Sequence, residues 1–169
     1  IIGPDLKSPM KVLDAGCGAG YNLEHYAALG HETFGFDIAS DAIKWVKKRG
    51  FSRLAQASVA EIPFASNSFD FVFSFDVLVQ IPVDMSEAAI REMYRVLKPG
   101  GRLFARGAAY KWLRSSHDDD LHTMHRFNRN ELKQKLESAG FIVESSEKDG
   151  IAEVQWIGPP EHLAPGMTI

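Results

Sequence analysis

Two carboxylates flank a glycine-rich stretch near the start of the chain. Asp14 stands two residues before the first glycine of the run Gly16-Cys17-Gly18-Ala19-Gly20, at the end of an apolar run that is typical of a strand. Glycines at this spacing let a ligand approach bare backbone, because a Cβ would block both the turn and the ligand. A buried acid aimed at that ligand repels a pyrophosphate and suits a cationic amine. The stretch therefore predicts a binding turn at the carboxyl edge of a parallel sheet.

The second carboxylate, Asp37, closes the next apolar run about 20 residues after the first turn, where an acid can accept both hydroxyls of a ribose. The alternative is a surface or helix-capping aspartate. Ser40 and Asp41 are better placed for that cap, because capping residues immediately precede or open a helix. The pattern therefore favours a nucleoside-binding role for Asp37.

The spacing of the glycines separates two classes of ligand. A dinucleotide site has the pattern G-x-G-x-x-G, in which the third glycine packs the helix against the strand. Gly16 and Gly18 fit this pattern, but Tyr21 stands at the third position and Gly20 falls one place early. The spacing therefore argues against a dinucleotide-dependent oxidoreductase, and we keep that function only as an alternative.

The pattern D-x-G-x-G-x-G of residues 14–20 resembles the first motif of class I S-adenosylmethionine (SAM)-dependent methyltransferases, in particular the small-molecule, type 11-like group. Residues 57–64, the loop 67–70 before a buried strand, and residues 96–103 after a helix are also similar to that family. The similarity is strong over residues 11–107 and looser over residues 125–158.

The resemblance implies SAM as the cofactor and assigns a role to each matching residue. Asp37 binds the ribose, Ser58 stands where the family commonly has an acid for the adenine amino group, and Phe75 lines the methionine end. Cys17 is expected to be a small, apolar filler of the turn. The cofactor-binding residues that the resemblance implies are Asp14, Gly16, Cys17, Gly18, Gly20, Asp37, Ile38, Ser58, Val59 and Phe75.

The segment after the fifth predicted strand, residues 108–125, hangs over the same sheet edge and is rich in aromatic residues and histidines. Such a segment is a natural acceptor pocket or lid. A nitrogen or oxygen acceptor would lose a proton to a base, and the candidate catalytic residues are Tyr110, His117 and His122. Many members of the family carry a Glu-His pair after the fourth strand, whereas this chain has Val79-Gln80, which removes one base.

Two other interpretations of this segment stay open. Trp112 could fill the core while the acids at 118–120 cap the next helix. His117, Asp118 and His122 have a spacing that a metal ion could use. Acids near histidines usually lie on a solvated helix, however, so we expect no metal.

Alternating strands and helices must position these residues. Apolar runs and helical periodicity alternate over residues 11–107, which predicts right-handed crossovers and a parallel sheet covered on both faces. Residues 86–97 and 130–139 have helical period. Runs at 141–145 and 151–157 are joined by a turn signal, which predicts an antiparallel pair. Together with these patterns, the resemblance to the methyltransferase family implies an α/β fold with a Rossmann-like, doubly wound sheet of seven strands, mostly parallel with the last strand antiparallel.

Composition fits one soluble domain. The 169 residues are 45% hydrophobic and 24% charged. A chain of this size and composition can bury a hydrophobic core without stabilising disulfide bonds or metal ions. We expect a single methyltransferase domain over residues 1–169, with an N-terminal lid segment not represented. The single cysteine excludes an internal disulfide. No apolar run approaches membrane-spanning length and no signal peptide is evident, so we expect no membrane partner and a cytoplasmic location.

The net charge and the distribution of basic residues indicate which classes of partner the chain can bind. The net charge is −3, and no basic cluster is interleaved with aromatic residues, which disfavours nucleic acid as the main partner. The basic run 47–49 is interpreted as the solvated last turn of a helix.

We therefore predict a SAM-dependent methyltransferase that acts on a small-molecule acceptor as a monomer or homodimer. A non-catalytic SAM-binding module and an aminopropyl transferase that uses decarboxylated SAM stay open. Asp14 and Asp37 are both intact, so the motifs show no loss of the kind expected in a non-catalytic module. An aminopropyl transferase normally needs extra acidic residues to bind a polyamine, and this chain lacks them.

Overall fold

A computed structural model describes residues 9–108, 124, 125, 127, 129–148 and 151–157. The strands are β1 (Lys11–Ala15), β2 (Glu32–Asp37), β3 (Leu54–Gln56), β4 (Phe69–Phe75), β5 (Leu97–Ala108), β6 (Ile142–Lys148) and β7 (Ile151–Ile157). The helices are α1 (Tyr21–Ala28), α2 (Ser40–Lys48), α3 (Ser86–Val96) and α4 (Arg129–Ser138), with a short 3-10 helix, Val83–Met85, before α3.

The strands form one sheet in the order β3-β2-β1-β4-β5-β7-β6. β1 to β5 are parallel to one another, and β7 is antiparallel to both of its neighbours. The predicted α/β class and mostly parallel sheet are thus confirmed. The strand order reverses between β1 and β4, and in sheets of this kind ligands bind in the crevice at the carboxyl ends of the strands on either side of such a reversal.

Helices cover both faces of the sheet, so the central strands carry apolar side chains on both sides. Alternate residues of β4 enter different clusters. Phe71 and Phe73 pack with Tyr26 of α1, whereas Val72 packs in the larger cluster with Ile90 and other residues of α3 and α4. Each fully buried side chain of this size contributes roughly 1.5–3 kcal/mol. The core therefore holds the carboxyl ends of β1 and β4 side by side.

Two element boundaries differ from the sequence-based expectations. α3 ends at Val96, one residue early, because Leu97 is extended and pairs with Phe69 of β4. The expectation that Ser40 and Asp41 cap α2 is wrong: Ala39 is the N-cap, and no side-chain hydrogen bond caps this helix. Among the described helices, none has both the length and the apolar character that a membrane crossing needs.

Candidate functional site

The glycine turn, residues 16–20, joins β1 to α1 with all three of its glycines at positive φ. The backbone N–H groups of Gly16 and Cys17 both donate to the Phe36 carbonyl, at 3.0 and 2.9 Å, which ties the turn to the end of β2. A Cβ at Gly16 would lie 2.4 Å from the Val77 side chain, whereas a Cβ at Gly18 would meet nothing within 4 Å. Gly16 is therefore required by packing, and Gly18 leaves open space in which a ligand can approach the backbone.

Asp37 links the glycine turn to the loop after β2. Its Oδ2 accepts a hydrogen bond from the Gly18 N–H at 2.9 Å, and its Oδ1 accepts one from the Ala39 N–H at 2.9 Å. An ionised carboxylate offers about four lone-pair directions. Two are used here, so the group can hold its own loops and still accept hydroxyl donors. The structural and ligand-binding interpretations of Asp37 are thus compatible.

Asp14 is a buried carboxyl under the glycine turn. Only 1% of its surface is exposed. Its Oδ1 lies 3.5 Å from the Asn22 amide nitrogen, which is long for a hydrogen bond. Its buried Oδ2 has no hydrogen-bond partner among the described residues. Burial raises the pKa of Asp14 to about 7; the Asn22 hydrogen bond opposes this, and the nearby charge of Asp37 adds to it. A cationic group at this position would satisfy the carboxylate and offset its desolvation.

The loops that follow β2 and β3 place Ile38, Ser58 and Val59 along the same edge of the sheet. Ile38, which follows Asp37 directly, is 73% exposed, so its apolar side chain is open to a ligand. The Ser58 hydroxyl accepts a hydrogen bond from the Ala60 N–H at 3.2 Å. The Val59 side chain is buried in the main core, which leaves only its backbone for a ligand. Ile38 thus offers an apolar surface, and residues 58–59 offer polar atoms beside it.

Cys17 contributes backbone rather than a reactive thiol. Its side chain is buried and packs with Leu23, Ile43 and Val46. Burial raises the pKa of the thiol to about 12, and the charges of Asp14 and Asp37 act in the same direction. Such a thiol is a poor nucleophile, in agreement with the expectation of an apolar filler.

Phe75 closes β4 on the same side of the sheet as Asp14. Asp14 is the register partner of Phe73, and residues two apart on a strand share a face. The Phe75 ring packs against the rings of Phe73 and Phe104, with centroids 5.6 and 5.4 Å apart. Its half-buried ring is therefore at the carboxyl edge, one strand away from the glycine turn.

Several residues near this edge carry no local signal in the sequence. The Arg49 guanidinium donates to the Ala19 carbonyl of the glycine turn and to the Glu24 carboxylate. It also lies 5.1 Å from the centre of the Tyr21 ring. The interpretation of Arg49 as part of a solvated helix end is therefore wrong. The residues that sequence reasoning missed are Asn22, Arg49, Asp76, Val77 and Arg106.

The candidate catalytic residues Tyr110, His117 and His122 lie outside the described residues, as do Trp112 and Asp118. Just after them, the backbone N–H of His125 donates to the Val79 carbonyl at 3.1 Å. Its imidazole Nε2 lies 3.2 Å from Glu131 Oε1. In the described ranges, no group of three or more metal-ligating side chains is placed to hold an ion.

Comparison with known proteins gives a consistent result. A family model described as a methyltransferase domain matches residues 13–105. A sterol 24-C-methyltransferase from Neurospora crassa is 30% identical over 129 residues, covering 72% of this chain and 32% of the relative. A malonyl-[acyl-carrier protein] O-methyltransferase from Erwinia billingiae is 34% identical over 94 residues, covering 55% of this chain and 37% of the relative. The chain thus spans about a third of the length of these two curated relatives.

A solved structure shares the fold. The crystal structure of a SAM-dependent methyltransferase from Methanosarcina mazei superposes with a TM-score of 0.78 at 22% identity, covering 92% of this chain and 95% of that one. The matched residues 13–105 run from β1 into β5 and include the glycine turn, Asp14 and Asp37. The chain therefore belongs to the methyltransferase domain family, as a class I domain whose cofactor is S-adenosylmethionine.

Proposed function

We propose that this chain transfers a methyl group from SAM to a small-molecule acceptor. The observation that carries the proposal is the carboxyl of Asp14, which is buried, lacks a partner for Oδ2 within the described ranges, and lies under the glycine turn. Buried titratable groups with strongly shifted pKa values concentrate at functional sites, and a cationic ligand would satisfy this carboxylate. SAM carries a sulfonium and an ammonium, and therefore fits that requirement better than a dinucleotide does.

In this proposal each of the described site residues contacts a different part of the donor. Asp14 faces its cationic end, and the backbone of the glycine turn lies against the methionine portion. Asp37 accepts hydrogen bonds from the ribose hydroxyls through the lone pairs that its loop contacts leave. Ile38 covers one face of the adenine, while Ser58 and the backbone of Val59 meet its polar edge. Phe75 borders the methionine end at the close of β4. Each of these roles is part of the proposal.

When bound, SAM supplies a methyl carbon that is already activated by its positive sulfur. The acceptor's nucleophile forms a bond to that carbon as the carbon–sulfur bond breaks, with the electron pair going to sulfur. The chain must align the two reactants and exclude water. If the nucleophile is a protonated nitrogen or oxygen, its proton passes to a base. Tyr110, His117 and His122 stay our candidates for that base.

The acceptor is proposed only as a class. The relatives named above act, by their names, on a sterol and on a malonyl-[acyl-carrier protein], two chemically different acceptors. A small molecule fits the acidic composition without an aromatic-rich basic patch. We further propose that the seven strands belong to a single domain, that the domain acts as a monomer or homodimer, and that it works in the cytoplasm.

Methyl transfer is tested with methyl-labelled SAM and the low-molecular-weight fraction of a cell extract. We expect label in a new product and an equal amount of S-adenosylhomocysteine, both lost in Asp37→Ala and retained in the exposed control Asp41→Asn. Saturable SAM binding without S-adenosylhomocysteine formation in any fraction would favour the non-catalytic module. Absence of SAM binding would refute the proposal altogether.

A further inference from the structure

A guanidinium stands at the carboxyl ends of β4 and β5, close to the donor site. Arg106 is the register partner of Phe75, so it lies beside the last residue of β4 and two residues before the end of β5. Arg106 shares its face of β5 with Phe104, because residues two apart on a strand point the same way. Phe104 packs in the cluster that contains Phe73, the register partner of Asp14. Arg106 and Asp14 therefore lie on the same side of the sheet.

The Arg106 side chain is fixed by two contacts. Its Nη2 donates to Asp76 Oδ2 at 3.0 Å. Its guanidinium carbon lies 4.8 Å from the centre of the Phe75 ring, which is within the range of a cation–π contact. About 36% of the side chain stays exposed. The cation is thus held in one orientation while part of it faces solvent at the sheet edge.

The backbone at Asp76 is shaped around this pair. Asp76 has φ 60°, in the left-handed region that residues other than glycine adopt uncommonly. Its N–H donates to the Arg106 carbonyl at 2.7 Å. The end of β4 is therefore joined to β5 through both backbone and side chain. Backbone in sparsely populated conformations concentrates at functional sites.

The pair lies beside the glycine turn. Val77, the residue after Asp76, approaches so closely that a Cβ at Gly16 would lie 2.4 Å from its side chain. In the proposed donor site Phe75 borders the methionine end, so Arg106, on the next strand outward from the glycine turn, borders the space left for the second substrate. A fixed guanidinium there presents its N–H groups in a plane, which suits carboxylate and phosphate oxygens.

We propose that Arg106 binds an anionic group, a carboxylate or a phosphate, on the methyl acceptor, and that Asp76 and Phe75 position its guanidinium. The proposal rests on the methyltransferase function proposed above. The carboxylate of Asp76 partly offsets the positive charge, so it competes with the acceptor's anion and keeps the affinity modest. A neutral acceptor, such as a sterol, would make no use of this arginine.

The test uses malonate and inorganic phosphate as probes on the full chain saturated with S-adenosylhomocysteine. Nuclear magnetic resonance titrations of the 15N-labelled chain, at constant ionic strength, give the Kd of each probe. We expect saturable shifts at the Asp76 and Arg106 amides for at least one probe, and the two probes distinguish a carboxylate from a phosphate. Arg106→Gln should weaken that probe by at least about tenfold, since a charge-assisted contact is lost.

Two matched variants separate ligand binding from a structural role. Arg102→Gln removes an arginine from the same strand, four residues earlier, and should leave the probe's Kd within about twofold. Asp76→Asn keeps a residue that tolerates the left-handed backbone and removes the competing charge, so the probe should bind several times more tightly. A purely structural ion pair would instead lower the melting temperature without changing probe affinity.

Each outcome decides the proposal. Arg106-dependent binding of either probe supports it. No saturable binding, or equal binding by wild type and Arg106→Gln, overturns it, even if S-adenosylhomocysteine binds normally. Failure of S-adenosylhomocysteine to bind would instead refute the methyltransferase function, which keeps the two failures distinct.

Discussion

Asp14 should make the affinity for SAM depend on pH in a definite direction. Burial raises the pKa of this carboxyl to about 7 in the ligand-free chain. The group is therefore mostly protonated below that pH, whereas its ionised form is the one that favours a cationic donor. Binding must then release a proton. We expect the Kd for SAM to fall by nearly tenfold between about pH 5.5 and 6.5 and to level off above about pH 7.

The same pKa shift lowers the free energy of unfolding as the pH rises, whereas it makes SAM binding tighter. The pKa rises from 3.8, the ordinary value of an aspartate, to about 7 in the folded chain. The folded state therefore binds this proton more tightly, and the carboxyl's contribution to stability falls as the pH rises from about 4 to about 7. The shift corresponds to roughly 4 kcal/mol as an upper limit. Asp14→Asn should thus be more stable than wild type at about pH 8 in the absence of ligand, and similar near pH 4.

Calorimetric titration with SAM at several pH values, with urea denaturation of the ligand-free chain, measures both effects. Below about pH 7.5 the amino group of the donor stays largely protonated, so its own titration adds little. Asp14→Asn should bind SAM more weakly and lose the pH dependence. The control Asp41→Asn, whose side chain is 91% exposed, should keep both. A Kd that is independent of pH in wild type, or unchanged in Asp14→Asn, would refute the contact between Asp14 and the cationic end of the donor.

Three further sets of substitutions test the rest of the site. Asp37→Ala should weaken SAM binding by about 2–4 kcal/mol in calorimetry, because the ribose hydroxyls lose their acceptor. It should also lower the melting temperature, because two backbone N–H groups lose theirs. Unchanged SAM affinity would show that the carboxylate is purely structural. Both Gly16 and Gly18 lie at positive φ, so an alanine is strained at either position, but only at Gly16 would its Cβ also meet the Val77 side chain. Gly16→Ala should therefore lower the melting temperature more than Gly18→Ala does, whereas Gly18→Ala should weaken SAM binding more than its smaller loss of stability explains; the opposite order would contradict a ligand at Gly18. Arg49→Gln should raise the KM for SAM more than it lowers kcat, because the glycine turn loses its tether; a fall in kcat alone would exclude this role.

The parts of the site that sequence could predict are those set by short-range patterns. The glycine turn follows from backbone requirements at three positions, and Asp37 follows from its place at the end of an apolar run. The alternation of strand and helix periods likewise predicts a mostly parallel sheet. In each case the determining residues are close together in the chain, so their types and spacing carry the information.

The features that sequence could not predict depend on contacts between distant residues. Arg49 reaches the carbonyl of Ala19, 30 residues earlier, and only the packing of α2 beside α1 brings them together. Asp76 and Arg106 are also 30 residues apart and meet through the register of β4 on β5. The absence of a side-chain cap on α2 has a local cause instead: its N-cap residue is Ala39, whose methyl group cannot accept a hydrogen bond.

The central claim is that the glycine turn with Asp14 and Asp37 forms a SAM site. Calorimetric titration of the chain with SAM, S-adenosylhomocysteine and NAD tests it most directly, because all three ligands carry an adenosyl group but only the two sulfur nucleosides carry the ammonium that Asp14 is proposed to meet. We expect saturable binding of both sulfur nucleosides and none of NAD. Binding of NAD without binding of SAM would contradict the account.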